Sequence, residues 1–176
     1  MGRIPTHTVE DAPAASRPLL QKIVQSTPTG SPANLHAQMA HSPAVLTVYT
    51  SLRAALAEHT AFDPKVGAAL TLAAAAGVGN GYMIQIASRL AQMNGWTEEQ
   101  VIALRAGAPT GDAKIDALAG LVREGAAHSG NVSDVAWEAA RQAGWSDEQL
   151  ADAFAYLGAT VFTGYFLNYA QTDLDI

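Results

Sequence analysis

Residues 63–100 read DPKVGAALTLAAAAGVGNGYMIQIASRLAQMNGWTEEQ, and this stretch decides the fold. Asp63 ahead of Pro64 puts a side-chain acceptor at a helix N-cap and a proline at the first helical position, where its missing N–H is no loss. The alanine-rich run that follows meets Gly77, Gly79 and Gly81, which break or kink a helix. A second helix is expected to bury Met83, Ile86, Leu90 and Met93 and to stop at Asn94-Gly95, a C-cap signal. Thr97, with Gln100 three residues on, is a capping box that starts a third.

Residues 66–88 carry no charge, which raises the question of a membrane span. Four glycines (Gly67, Gly77, Gly79 and Gly81), Asn80 and Gln85 interrupt them, and alanine gains little from lipid and much from close helix packing. A buried helix pair is the expectation.

Working outward, MNGWTEEQVIAL (93–104) and QAGWSDEQLADA (142–153) match at a shift of 49 residues, with Ser146 and Gln149 repeating the capping box. Between the copies lie a helix near residues 112–128, carrying Ile115, Leu118 and Val122, and another capped by Ser133. Upstream, Ser31-Pro32 and Ser42-Pro43 mark further helix starts. Val45, Tyr49, Leu52 and Leu56 then form an apolar stripe on a helix ending near His59. Downstream, Leu150, Phe154, Leu157, Val161 and Tyr165 give the stripe of a long last helix, with Asn168 on the same face. No stretch reads as a strand, so the fold class is all-α. Residues 1–18 lack apolar periodicity and read as a flexible arm before a single helical domain, 19–176.

Composition narrows the chemistry. The chain has 176 residues, 49% hydrophobic, enough for one core. A formal charge of −6 without a basic cluster argues against nucleic acid as a partner. With no cysteine, disulfides, thiolate metal sites and thiolate nucleophiles are excluded. The start, MGRIPTHTVEDAP, has acids and prolines where a signal peptide needs an apolar run, so a cytoplasmic protein without a membrane partner is expected.

The alanine-rich helix, the small-residue break, the tetrad Asn80-Gly81-Tyr82-Met83 and the capped successor helix resemble the core of the carboxymuconolactone decarboxylase and alkylhydroperoxidase D-like family. ANLHAQMAHSPAVL (33–46) and FLNYAQTDLDI (166–176) extend the resemblance over residues 19–176. It implies an alkylhydroperoxidase D-like helical bundle and homo-oligomers, trimers or hexamers. In the family's peroxidases the tetrad is Cys-x-x-Cys, with a His four residues later and a Glu on the preceding helix. Counting back from Gly95, the cysteine positions fall on Asn80 and Met83, the histidine on Ala87 and the glutamate on Ala68. All four reactive side chains are missing. A peroxidatic cysteine needs a thiolate and a proton relay, which Asn, Met and Ala cannot supply. The resemblance also implies that decarboxylase members work without the cysteine pair, by acid/base steps.

The remaining candidates have bland readings beside them. His36 and His41, five residues apart, are poorly spaced for joint metal ligation, and no metal or cofactor is expected. Tyr82 either donates to a ligand oxygen or packs half-buried at an oligomer contact. Asn80 caps its helix or binds ligand. Asn168, Thr160 and Thr163 need partners along the last helix. Glu98-Glu99 and Asp147-Glu148 occupy first helical turns, where their charge offsets the dipole.

The expected function is a diverged family member with a small apolar pocket around Asn80, Tyr82, Met83, Ala87 and Ala68. It would take a small organic acid, lactone or peroxide-like molecule, with any chemistry independent of cysteine. The alternative is a catalytically inactive helical oligomeric module; a retained hydroperoxide reductase activity conflicts with the missing thiols.

Overall fold

The computed structural model describes residues 2–175, and every regular element among them is a helix. In chain order these are α1 (Arg17–Gln25), α2 (Asn34–Met39), α3 (Pro43–His59), α4 (Pro64–Val78), α5 (Gly81–Met93), α6 (Glu98–Ala106), α7 (Ala113–Ala127), α8 (Asp134–Gln142) and α9 (Asp147–Ala170). Contacts divide the chain into two compact units where composition suggests one domain: Glu58–Gly164, and Met1–Ala57 together with Tyr165–Ile176.

In the unit Glu58–Gly164, α4 is the central helix, buried at every position from Val66 to Ala75. A helix apolar on all sides belongs in an interior. Its small side chains let neighbours come close: a Cβ on Gly67 would lie 2.6 Å from Tyr156 Oη, and one on Gly77 would lie 2.6 Å from the Arg123 carbonyl oxygen. The uncharged stretch is divided where Gly79 adopts a left-handed φ of 73° and Asn80 opens α5. The resulting helices, 15 and 13 residues long, fall short of the roughly 20 needed to span a bilayer. Among the described residues α9 is long and apolar enough to cross a membrane by length and composition, and half of that window is buried within the protein.

The repeat seen in the strings extends through three helices. Asp63 accepts from Val66 N–H at the start of α4, and Asp112, 49 residues on, accepts from Ile115 N–H at the start of α7. Trp96 donates its indole N–H to the Lys65 carbonyl at 2.9 Å, and Trp145 donates to the Lys114 carbonyl at 2.8 Å. Each lysine ammonium lies over the ring its carbonyl anchors, 4.8 and 4.5 Å from the centroids. Gly95 and Gly144 turn the chain with φ of 87° and 88°, and both capping boxes form.

Two apolar faces differ from the stripes that spacing suggests. On α5 the buried residues are Tyr82, Met83, Ala87 and Ala91, while Ile86 and Leu90 are half-buried and Met93 is 84% exposed. On α9, Leu150 and Leu157 are buried as expected, but Phe154 and Tyr165 are exposed; Ala153, Thr160 and Thr163 take the inner face. The cause is common to both. Close packing on small residues decides which face turns inward, and bulk-weighted periodicity misses it. Asn168, expected on an apolar face, is exposed.

In the other unit Leu20, Met39 and Leu46 are fully buried. Residues 3–17, read from composition as part of an arm, carry ordered bonds: Arg3 N–H donates to the Ala170 carbonyl and His7 N–H to the Ala37 carbonyl. Ala12 and Ser16 are fully buried, and α1 begins at Arg17. Ser31 does not cap α2; the helix starts three residues later with Ala33 at the N-cap and no side-chain cap bond. The Asp175 carboxylate takes the Asn34 N–H at 2.6 Å instead, so a remote carboxylate serves the helix N-terminus.

Candidate functional site

The positions matched to the peroxidase residues are inner-face residues of α4 and α5. Asn80 is buried, and its Oδ1 accepts from Met83 N–H at 2.8 Å, which caps α5. Tyr82 and Met83 are buried in the first turn of α5, Ala87 is fully buried one turn on, and Ala68 is buried on α4. Gly164 of α9 lies over this turn: a Cβ there would sit 3.0 Å from Val78 Cγ1 and 3.8 Å from both Asn80 Cβ and Met83 Cγ. The structure thus gathers Asn80, Met83 and Gly164 at one closely packed place. Its side chains supply no thiolate and no imidazole.

His36 and His41 do not meet. The His41 Nδ1 faces His7 Nε2 at 2.9 Å with the rings stacked, and His7 Nδ1 pairs with Asp11 at 3.2 Å. His36 Nε2 lies 3.0 Å from Tyr49 Oη, across the turn from α2 to α3. Its other nitrogen, Nδ1, is buried without a hydrogen-bond partner. Burial and the neighbouring Arg53 charge push the imidazole down to a pKa of about 4, against an opposing pull from Asp175. Burial also pushes the Tyr49 phenol up, opposed by Arg53. Both groups are therefore neutral at pH 7. Among the described residues no three metal-ligating side chains cluster.

His36 and Tyr49 line an open cleft of about 640 Å³ together with residues of α1 and α3. Tyr49 reads from its spacing as part of an apolar stripe, and a partner 13 residues away across a turn leaves no periodic mark in the sequence. A smaller cavity of about 160 Å³ lies by α6 and α7, where Arg123 donates to the Leu104 and Arg105 carbonyls and Asp116 accepts from Thr110. Those charges serve the C-terminus of α6 and the loop before α7. Glu98-Glu99 and Asp147-Glu148 occupy first turns as expected, and hydrogen bonding to its own backbone amide and to Thr97 holds the Glu99 carboxyl below its usual range.

No protein-family model matches the sequence, and a comparison with curated proteins returns no match. Solved structures do match. An uncharacterized peroxidase-related protein from Ralstonia eutropha with an alkylhydroperoxidase AhpD core superposes with a TM-score of 0.82 at 14% identity, over 99% of this chain and 92% of that one. The debrominase Bmp8 gives a TM-score of 0.81 at 11% identity, covering 98% and 91%; a cysteine-to-alanine variant of it was solved with 2,3,4-tribromopyrrole. A peroxidase-related protein from Silicibacter sp. gives 0.76 at 15% identity, covering 97% and 94%. Identities this low speak for the fold: the chain is an all-helical protein of the AhpD-like fold that lacks the paired cysteines.

Proposed function

We propose that this protein is a diverged AhpD-like small-molecule protein that binds an organic acid, lactone or peroxide-like molecule at the first turn of α5, with any chemistry independent of cysteine. The observation that supports this is the occupancy of the four family positions. Asn80, Met83, Ala87 and Ala68 are all buried, and the one amide among them already caps the helix. A thermal-shift panel of lactones, keto acids, aromatic acids and hydroperoxides tests the reading. A ligand at about a hundred times its dissociation constant adds about 2.7 kcal/mol, several degrees for a chain of this size. A shift confined to one chemical class, lost in Ala87→Leu, supports it; silence across the panel overturns it. Peroxide consumption with a dithiol reductant is expected to stay at background.

A second reading, an inactive helical module that works by self-association, is favoured by exposed apolar side chains. In the unit Glu58–Gly164, Met93, Val135 and Phe154 are 84%, 80% and 65% exposed. Sedimentation equilibrium giving a trimer or hexamer, together with no ligand response, would move the weight there.

A further inference from the structure

The cleft in the unit formed by residues 1–57 and 165–176 has a different chemistry from the α5 turn. Leu19 and Ile23 of α1 and Ala54 of α3 give it an apolar lining, and its charged members, Lys22 and Arg53, are both cations. Neither cation forms an ion pair or hydrogen bond among the described residues, and both are exposed. The neighbouring carboxylate, Asp175, is not part of the lining and is bonded to the Asn34 backbone. Deeper in, the neutral His36–Tyr49 pair leaves a proton to give. If His36 Nε2 accepts from Tyr49, Nδ1–H is the unused donor; if Nε2–H donates to Tyr49, the phenol hydrogen is free for a ligand. Unused donors and cations beside aliphatic walls ask for an acceptor-rich anion carried on an apolar body. The volume, about 640 Å³, lies within the roughly 300–1,000 Å³ of small-molecule sites.

We propose that this cleft is a second binding site, separate from the α5 turn, for an amphipathic monocarboxylate: Arg53 and Lys22 hold the carboxylate, the His36–Tyr49 pair donates to it, and Leu19, Ile23 and Ala54 cover its hydrocarbon. Arg53 is the main anchor, because its planar fork matches a carboxylate bidentately and its charge already reaches His36 and Tyr49. Lys22 adds charge without fixed geometry. Tyr49 makes the site prefer an acceptor over a second hydrophobic group.

Isothermal titration with octanoate tests this, with octanol and octyltrimethylammonium as uncharged and oppositely charged controls of the same chain length. One saturable site is expected for octanoate, at least tenfold weaker in Arg53→Gln and several-fold weaker in Tyr49→Phe. Both cleft substitutions leave the fold intact if circular dichroism is unaltered, and the His36 ring proton signals should move on titration with octanoate in the native protein. Equal binding of octanol would reduce the cleft to an apolar patch and overturn the proposal. So would binding indifferent to Arg53→Gln, absence of saturable binding, or self-association that disappears in Arg53→Gln, which would mean that a second copy covers the cleft. Loss of octanoate binding in Ala87→Leu but not in Arg53→Gln would instead assign the ligand to the α5 turn.

Discussion

The two copies of the 49-residue repeat share a frame and differ in one turn. Both begin with an aspartate-capped helix and anchor a tryptophan on the carbonyl of a lysine at the helix start. Both then turn at a left-handed glycine and restart with a capping box. The middle helices end at equivalent residues, Met93 and Gln142, yet α5 begins at Gly81 while α8 begins at Asp134, one turn later in register. In the second copy that turn is a loop, with Ser129 and Gly130 at positive φ before Ser133 caps α8. In the first copy it is the tetrad Asn80–Met83. Devices present twice belong to the scaffold. The turn present once is the one to which the sequence resemblance assigns reactive side chains, and here it carries Asn80, Gly81, Tyr82 and Met83.

If the frame is equivalent in both copies, Trp96→Ala and Trp145→Ala should each cost about 3–5 kcal/mol in urea unfolding. A cost near zero for one of them would break the equivalence. The measurement belongs at pH 7.5, because His36 in the other unit makes stability pH-dependent. Its folded pKa of about 4 lies below the unfolded value of about 6.5. Below pH 6.5 the unfolded chain takes a proton that the folded chain refuses, so stability falls from pH 6.5 to 4 and levels off beneath. The groups acting on His36 are Arg53 of α3, which disfavours the proton, and Asp175, which favours it. On the order of 3 kcal/mol should be lost across that window, and His36→Gln should remove most of that loss relative to wild type. An unchanged pH profile in the variant would show that other groups set the acid sensitivity.

The packing of the central helices α4 and α7 sharpens the comparison at a single pair. Ala126 is the repeat equivalent of Gly77, and a Cβ added to Gly77 would lie 2.8 Å from the Cβ of Ala126. Gly77→Ala is therefore expected to destabilise by about 1–3 kcal/mol through overpacking, although alanine is the better helix former. Ala126→Gly should cost about 1 kcal/mol by propensity alone, and the double variant should recover part of the Gly77→Ala loss. Asp63→Ala and Asp112→Ala come next, at about 1 kcal/mol each for a lost cap. Unequal costs would show that the two helix starts are not used alike.

Punctuation made much of this legible in the sequence. Asp63-Pro64, Asn94-Gly95, Thr97/Gln100 and Ser146/Gln149 act locally, so each marks a helix end without knowledge of its neighbours, and the structure places ends there. Burial faces were less legible, since Met93 and Phe154 look like core by size while Ala87 and Ala153 do the packing. The cap on α2 could not be read at all: Asp175 lies 141 residues from Asn34. The His36–Tyr49 pair was hidden for a related reason, each residue being unremarkable on its own helix. The identities of Asn80, Met83, Ala87 and Ala68 are visible in the sequence, along with what they cannot do; how closely Gly164 approaches Asn80 and Met83 is not.

The finest test separates the two roles of Asn80. Aspartate and asparagine cap helices about equally well, so the cap on α5 should survive Asn80→Asp, and the cost the variant adds is a charge in a buried turn. The Met83 N–H keeps its acceptor in this variant. What changes is the charge in a buried turn, to which an uncharged ligand is indifferent and an anionic one is not. If Asn80 only caps, Asn80→Asp should bind any uncharged ligand found in the thermal-shift panel as tightly as wild type. Should the turn bind an anion, affinity for it will fall while uncharged ligands still bind. A large loss of stability would mean that the fold cannot carry a charge at this buried position or needs the Asn80 side-chain N–H₂ group, which aspartate cannot replace, and the turn would then join the scaffold devices it was set apart from.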